Sequence, residues 1–171
     1  MAELILHHFA ASPYSEKLRA IFGFKGLAWR SVLQPRVLPK PDLLPLTGGY
    51  RRTPVLQIGR DIYCDSRLAV RVIERLAPLP PLLPPSHRAS IAAFVTLEPD
   101  LFLGGVAANF SADGLKTLVA RSGADAVEAL MRDRAELFNS GTVRRPRPEQ
   151  AKTVLLPLLN AVDQQLAEQP F

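Results

Sequence analysis

Two short stretches carry residues that could do chemistry at the start of a helix. Ser12-Pro13-Tyr14-Ser15 places a hydroxyl at a capping position, a proline at the first helical position and a second serine further in. Asp65-Ser66 places two capping residues ahead of a run in which Ala69, Val72, Ile73 and Leu76 recur at helical spacing. An oxygen at such a position accepts from the first backbone N–H groups, and the first turn carries a partial positive charge that suits an anion. Cys64 is the only thiol, which excludes an internal disulfide; it reads as a buried strand residue. His7 and His8 are adjacent on an apolar run. On a strand they point to opposite faces and do not readily chelate one ion, so they read as strand-end histidines and no metal is expected.

The elements that must hold these residues are legible in order. Residues 3–9 (ELILHHF) read as a strand. A helix follows from Ser12, with Leu18, Ile21 and Phe22 on its apolar face and Gly26 as its stop. Residues 27–33 (LAWRSVL) read as a second strand, which makes a βαβ unit with a parallel pair. A Pro/Gly-rich stretch from Pro35 to Tyr50 leaves room for one short helix around residues 42–46. Arg52 to Ser66 then reads as strand, Gly59-Arg60-Asp61 turn, strand and helix cap, with Pro54 at the strand entry. The helix it caps runs over 66–76.

Residues 79–85 (LPPLLPP) cannot continue a helix and read as a semi-rigid linker. Beyond it no strand-like alternation remains. Helices are expected over 87 to about 109, bent at Pro99; over 115–121; over 124–138; and along the stripe Leu155, Leu158, Leu159, Val162 and Leu166, with Pro157 kinking its first turns. A loop is expected over 140–148. The predicted architecture is an α/β domain over 1–78 with a mixed four-stranded sheet, the linker 79–85, and an all-α domain over 86–171.

Composition narrows the partners. Hydrophobic residues at 47% and charged residues at 22% fit a folded globular chain. No uninterrupted run reaches the roughly 18 apolar residues of a membrane span, and no signal peptide is visible, so a cytoplasmic protein with no membrane partner is expected. The formal charge is +5. The arginines are scattered, and Arg144-Arg145-Pro146-Arg147 has no interleaved aromatic, so nucleic acid is not expected.

The order of elements, with these residues at the joints, resembles the glutathione S-transferase superfamily: a thioredoxin-like N-terminal domain and a helical C-terminal one. Ser12-Pro13-Tyr14-Ser15 is similar to a glutaredoxin Cys-Pro-Tyr-Cys turn with serine at both sulfur positions. Thr53-Pro54-Val55-Leu56 resembles the cis-proline loop of that fold, and Asp65-Ser66 resembles the acidic-serine pair that binds the γ-glutamyl end of glutathione.

The resemblance implies glutathione as co-substrate, its thiol activated for attack on a small apolar electrophile. It implies Ser12 as the catalytic donor to the sulfur, Thr53 and Pro54 in the binding loop, and Val55 pairing its backbone with the ligand. Asp65 would face the ammonium, and Ser66 would take the α-carboxylate. Lys40 is the first choice for the other carboxylate, with Arg51 and Arg52 as alternatives in the same loop. Serine at residues 12 and 15 argues against dithiol exchange, which needs an attacking thiolate. Against the family pattern the helical domain reads as truncated, and a homodimer is expected. The competing reading is a non-catalytic ligand- or protein-binding module of the same fold.

Overall fold

The structure is a computed structural model, and it describes residues 3–140, 147 and 149–168. Four strands, β1 (Leu4–His8), β2 (Arg30–Leu33), β3 (Val55–Ile58) and β4 (Asp61–Cys64), form one sheet in the order β2-β1-β3-β4. β1 runs parallel to β2 and antiparallel to β3, and β3 and β4 form the hairpin around Gly59. Gly59 has φ +61, the left-handed conformation that a tight turn between short strands calls for. This is the thioredoxin-like mixed sheet expected from the sequence.

Helices α1 (Pro13–Phe24) and α3 (Ser66–Leu76) supply the apolar faces that cover one side of the sheet. Leu18, Phe22, Ala69 and Ile73 pack with Leu4, Leu6 and Leu56 as one buried cluster. Full burial of each large side chain is worth roughly 1.5–3 kcal/mol, so this cluster dominates the domain's stability. A short helix, α2 (Leu44–Thr47), follows the Pro/Gly-rich loop, slightly later than expected.

Strand β2 begins three residues later than the sequence pattern suggested. The reason lies in the end of α1. Gly26 takes φ +61, Leu27 N–H donates to the Phe22 carbonyl at 2.9 Å, and Gly26 N–H donates to the Gly23 carbonyl at 3.1 Å. This paired closure ties Leu27 to the helix, and its hydrophobic side chain packs on the core from the loop. Trp29 likewise packs on the core before the strand starts.

The chain divides into two compact units, Met1–Ser86 and His87–Phe171. The second contains α4 (Arg88–Asn109, with Pro99 inside it), α5 (Ala112–Ser122), α6 (Ala124–Asn139) and α7 (Leu156–Glu168). Helix α5 starts three residues earlier than expected because Ser111 caps it, accepting from Gly114 N–H at 3.2 Å. A π-helical turn, Ala151–Leu155, precedes α7. Pro157 accounts for it: with no N–H at that position, the α-helical ladder cannot continue unbroken into the turn before it. Most of the predicted loop over 140–148, including Arg144 and Arg145, lies outside the described residues.

The segment Pro85–Asn109 is long and apolar enough, by length and composition, to cross a membrane, with mean hydropathy 1.5 over its best window. Thr96, Glu98 and Asp100 interrupt its apolar run, which is why a search for uninterrupted apolar residues passed over it. Core helices of globular proteins meet the same criterion, so the segment does not by itself define a membrane protein.

Candidate functional site

The registers of the sheet bring the predicted residues to one edge. On β1 and β3, His7 lies opposite Val55, the first residue of β3, so Thr53 and Pro54 precede β3 at the end of the sheet where β1 gives way to Phe9. Ser12 N–H donates to the Phe9 carbonyl at 3.2 Å, which anchors the start of α1 beside that position. On β3 and β4, Val55 lies opposite Cys64, the last residue of β4, so Asp65 and Ser66 follow β4 at that same end. Ser12, Thr53, Pro54, Asp65 and Ser66 therefore share the end of the sheet where β1 stops and β3 starts.

Ser12 is the N-cap of α1. Its Oγ accepts from Ser15 N–H at 3.2 Å, and the residue is buried. Because that bond uses the oxygen as acceptor, the hydroxyl proton is available to another acceptor. Ser15 is fully buried on the same stripe as Leu18 and Phe22, and its own Oγ has no hydrogen-bond partner. Thr53 is half-buried, with an Oγ1 that is buried and likewise without a partner. A buried polar group left unpaired costs about 1–3 kcal/mol.

Asp65 caps α3: one carboxylate oxygen accepts from Arg67 N–H at 2.8 Å and Leu68 N–H at 3.1 Å. The residue is exposed, and Ser66 behind it is buried. The Thr53–Pro54 bond is cis, as the resemblance implied.

Val55 does not fit its expected role. It is fully buried, with β1 on one flank at His7 and β4 on the other at Cys64, so a ligand cannot add as a strand along β3 at that residue. Thr53, two residues earlier, lies outside the strand.

Lys40 is buried, and its Nζ donates to the Arg51 carbonyl at 2.9 Å while lying 6.0 Å from the Phe9 ring centre. That places its charge beside Phe9, just past the end of β1. Arg52 is exposed and stacks over the Tyr50 ring at 4.9 Å. Burial is the main cause that pushes the Tyr50 phenol above its ordinary value; Arg52 opposes the rise, and Asp65 and Cys64 add to it. Tyr50 thus stands within electrostatic reach of Asp65. No sequence signal marked it, since a tyrosine in a loop after Gly48-Gly49 has no periodicity to report its neighbours.

Cys64 is half-buried, and burial, with the Asp65 carboxylate beside it, pushes its thiol up. A raised thiol is a poor nucleophile at neutral pH, which agrees with a structural role. The histidines face opposite ways. His7 Nε2 lies 2.9 Å from Gln57 Oε1. His8 sits edge-on to Trp29, with Nδ1 2.8 Å from an Arg19 nitrogen and Nε2 2.8 Å from Ser31 Oγ. Arginine can only donate, so Nδ1 is the acceptor and Nε2 carries the proton. Among the described residues no group of His, Cys, Asp and Glu could hold a metal ion.

The fold and the site define a thioredoxin-like domain followed by a helical one, with polar side chains gathered at the end of β1. Residues 6–81 match the family model described as the glutathione S-transferase N-terminal domain. A GST-like protein from Pseudomonas syringae aligns over 98% of this chain and 50% of its own length, at 35% identity and a TM-score of 0.68. A glutathione S-transferase from Rhodospirillum rubrum aligns over 75% of this chain and 64% of its own, at 21% identity and a TM-score of 0.51. A glutathione transferase homologue from Sulfitobacter, with bound glutathione, aligns over 99% and 88%, at 18% identity and a TM-score of 0.52. No curated protein matches. The chain belongs to the glutathione S-transferase superfamily. It spans half the length of the Pseudomonas protein and about two thirds of the Rhodospirillum one.

Proposed function

We propose that this protein binds glutathione at the end of β1 and activates its thiol for attack on small apolar electrophiles. The observation that carries the reading is the convergence of Ser12, Thr53, Lys40, Asp65 and Ser66 at one end of the sheet. These groups match the ligand's chemistry in order. Asp65 takes the γ-glutamyl ammonium, and Ser66, at the first turn of α3, takes the α-carboxylate. Lys40 neutralises the glycyl carboxylate, and Ser12 donates to the sulfur. The peptide lies beside Thr53, where the backbone is outside the ladder, and not beside Val55. The Sulfitobacter homologue, which shares the fold, was solved with glutathione bound.

A free thiol has a pKa of about 8.5, and lowering it by roughly two units takes about 3 kcal/mol. A hydrogen bond to a charged group supplies about 1.5–3 kcal/mol, and a helix N-terminus adds about 0.3–1. The thiolate then forms a carbon–sulfur bond while the leaving group departs with its electron pair. Ser12 acts as a donor throughout and not as a base.

The competing reading is a binding module. It draws support from Ser12, which is buried and already used as a cap. Calorimetry with glutathione, followed by turnover of an activated aryl halide, separates the two. Binding with turnover supports the transferase. Binding alone supports the module, and absence of both removes the enzyme reading. A cytoplasmic homodimer belongs to the same proposal, and light scattering tests the dimer.

A further inference from the structure

The unpartnered hydroxyl of Thr53 has a use in the proposed site. We infer that Thr53 Oγ1 is a second donor to the glutathione sulfur, so that the thiolate is held between two hydroxyls, Ser12 on the α1 side and Thr53 on the β3 side. The inference rests on the glutathione-binding reading and assigns a role to a side chain for which only a backbone position was expected.

Three observations support it. Thr53 Oγ1 is buried and has no hydrogen-bond partner, so it can donate to an incoming anion without first breaking a bond inside the protein. β1 ends at His8 and the antiparallel β3 begins at Val55, so Thr53 lies at the same end of the sheet as Phe9, whose carbonyl accepts from Ser12 N–H at the start of α1. Ser12 Oγ accepts from Ser15 N–H and, as a hydroxyl, has a single proton to give. A thiolate has room for more than one donor. Donors already fixed in place act on developing or resident negative charge without reorganisation.

The test compares the pKa of bound glutathione, read from the ultraviolet absorbance of its thiolate across pH, in the full chain and in variants. Thr53→Val keeps the β-branched shape and removes the hydroxyl. Thr53→Ala removes it with less demand on packing, should the first variant fold poorly. Thr53→Ser retains it. Loss of the hydroxyl is expected to raise the bound thiol's pKa by about one unit, roughly tenfold less thiolate below both values, while Thr53→Ser stays close to the parent protein. The shift should persist in a Ser12→Ala background.

The inference is overturned if Thr53→Val and Thr53→Ala titrate as the parent protein does while Ser12→Ala shifts the thiol; the proposed function then stands on Ser12 alone. It is equally overturned if Thr53→Ser shifts as far as Thr53→Val, because the hydroxyl is then not the cause. A parent protein that binds glutathione without lowering its thiol pKa, or does not bind it, overturns the activating role itself and this inference with it.

Discussion

Lys25 offers the sharpest test of how the first unit is held together. Its side chain is fully buried; Nζ donates to the Ala77 carbonyl at 2.5 Å and the Pro80 carbonyl at 2.9 Å, and it forms an ion pair with Glu74 Oε2 at 2.6 Å. The other oxygen of Glu74 accepts from Leu82 N–H at 3.0 Å. One ammonium at the end of α1 therefore fastens the end of α3 and the start of the proline segment. Lys25→Met keeps the length of the side chain and removes the charge. Breaking a buried ion pair by deleting one partner costs about 3–5 kcal/mol. Glu74 is 23% exposed and can regain some water, so the lower end, about 3 kcal/mol, is the expected loss. Trp29 is the only tryptophan and packs against Phe22 at 5.5 Å in the same unit, so its fluorescence reports this transition. With a urea m-value of about 1–3 kcal/mol/M, the midpoint should fall by about 1–3 M. Glu74→Gln, which keeps an acceptor for Leu82 N–H, should cost less. A Lys25→Met protein that unfolds at or above the parent midpoint would refute the clamp.

Three further outcomes follow from the same geometry. Ser15→Ala removes a fully buried hydroxyl that has no partner and should raise stability by up to about 1 kcal/mol in the same urea assay; a loss of that size would mean the hydroxyl is paired. Burial, reinforced by the Arg19 guanidinium, lowers the His8 pKa in the folded state, so below its ordinary value of about 6.5 the unfolded chain binds more protons and stability should fall as pH drops; His8→Gln should flatten that slope, and an unchanged slope assigns it elsewhere. Asp65→Asn preserves the α3 cap, because asparagine caps as well as aspartate, but removes the charge. Stability should change little while glutathione affinity in calorimetry falls about tenfold or more, and unchanged affinity would remove Asp65 from the ligand's ammonium.

What the sequence made legible followed from local rules. The α3 start was readable because Asp65 caps and the stripe Ala69, Val72, Ile73, Leu76 has one period. The hairpin was readable from Gly59 between two short apolar runs. The Leu27–Trp29 stretch misled because hydrophobic residues that pack from a loop look like a strand until the closure at Gly26 is seen. Val55 misled for a related reason: its neighbours on both flanks are set by β1 and β4, tens and units of residues away, and no local pattern records that the ladder is full. The Lys25 clamp and the electrostatic influence of Asp65 on the Tyr50 phenol join segments whose own periodicity is unaffected by them. The buried hydroxyls of Ser15 and Thr53 belong to the same class, since a sequence shows a serine or threonine but not whether its oxygen has found a partner.

The central claim is that the end of β1 is a glutathione site. The most direct measurement is a crystal structure of the chain with glutathione. The account predicts the γ-glutamyl ammonium against the Asp65 carboxylate, the adjoining carboxylate on Ser66 at the start of α3, and the sulfur within hydrogen-bond distance of the Ser12 and Thr53 hydroxyls. Glutathione lodged elsewhere, or absent at a concentration that saturates related transferases, would contradict it.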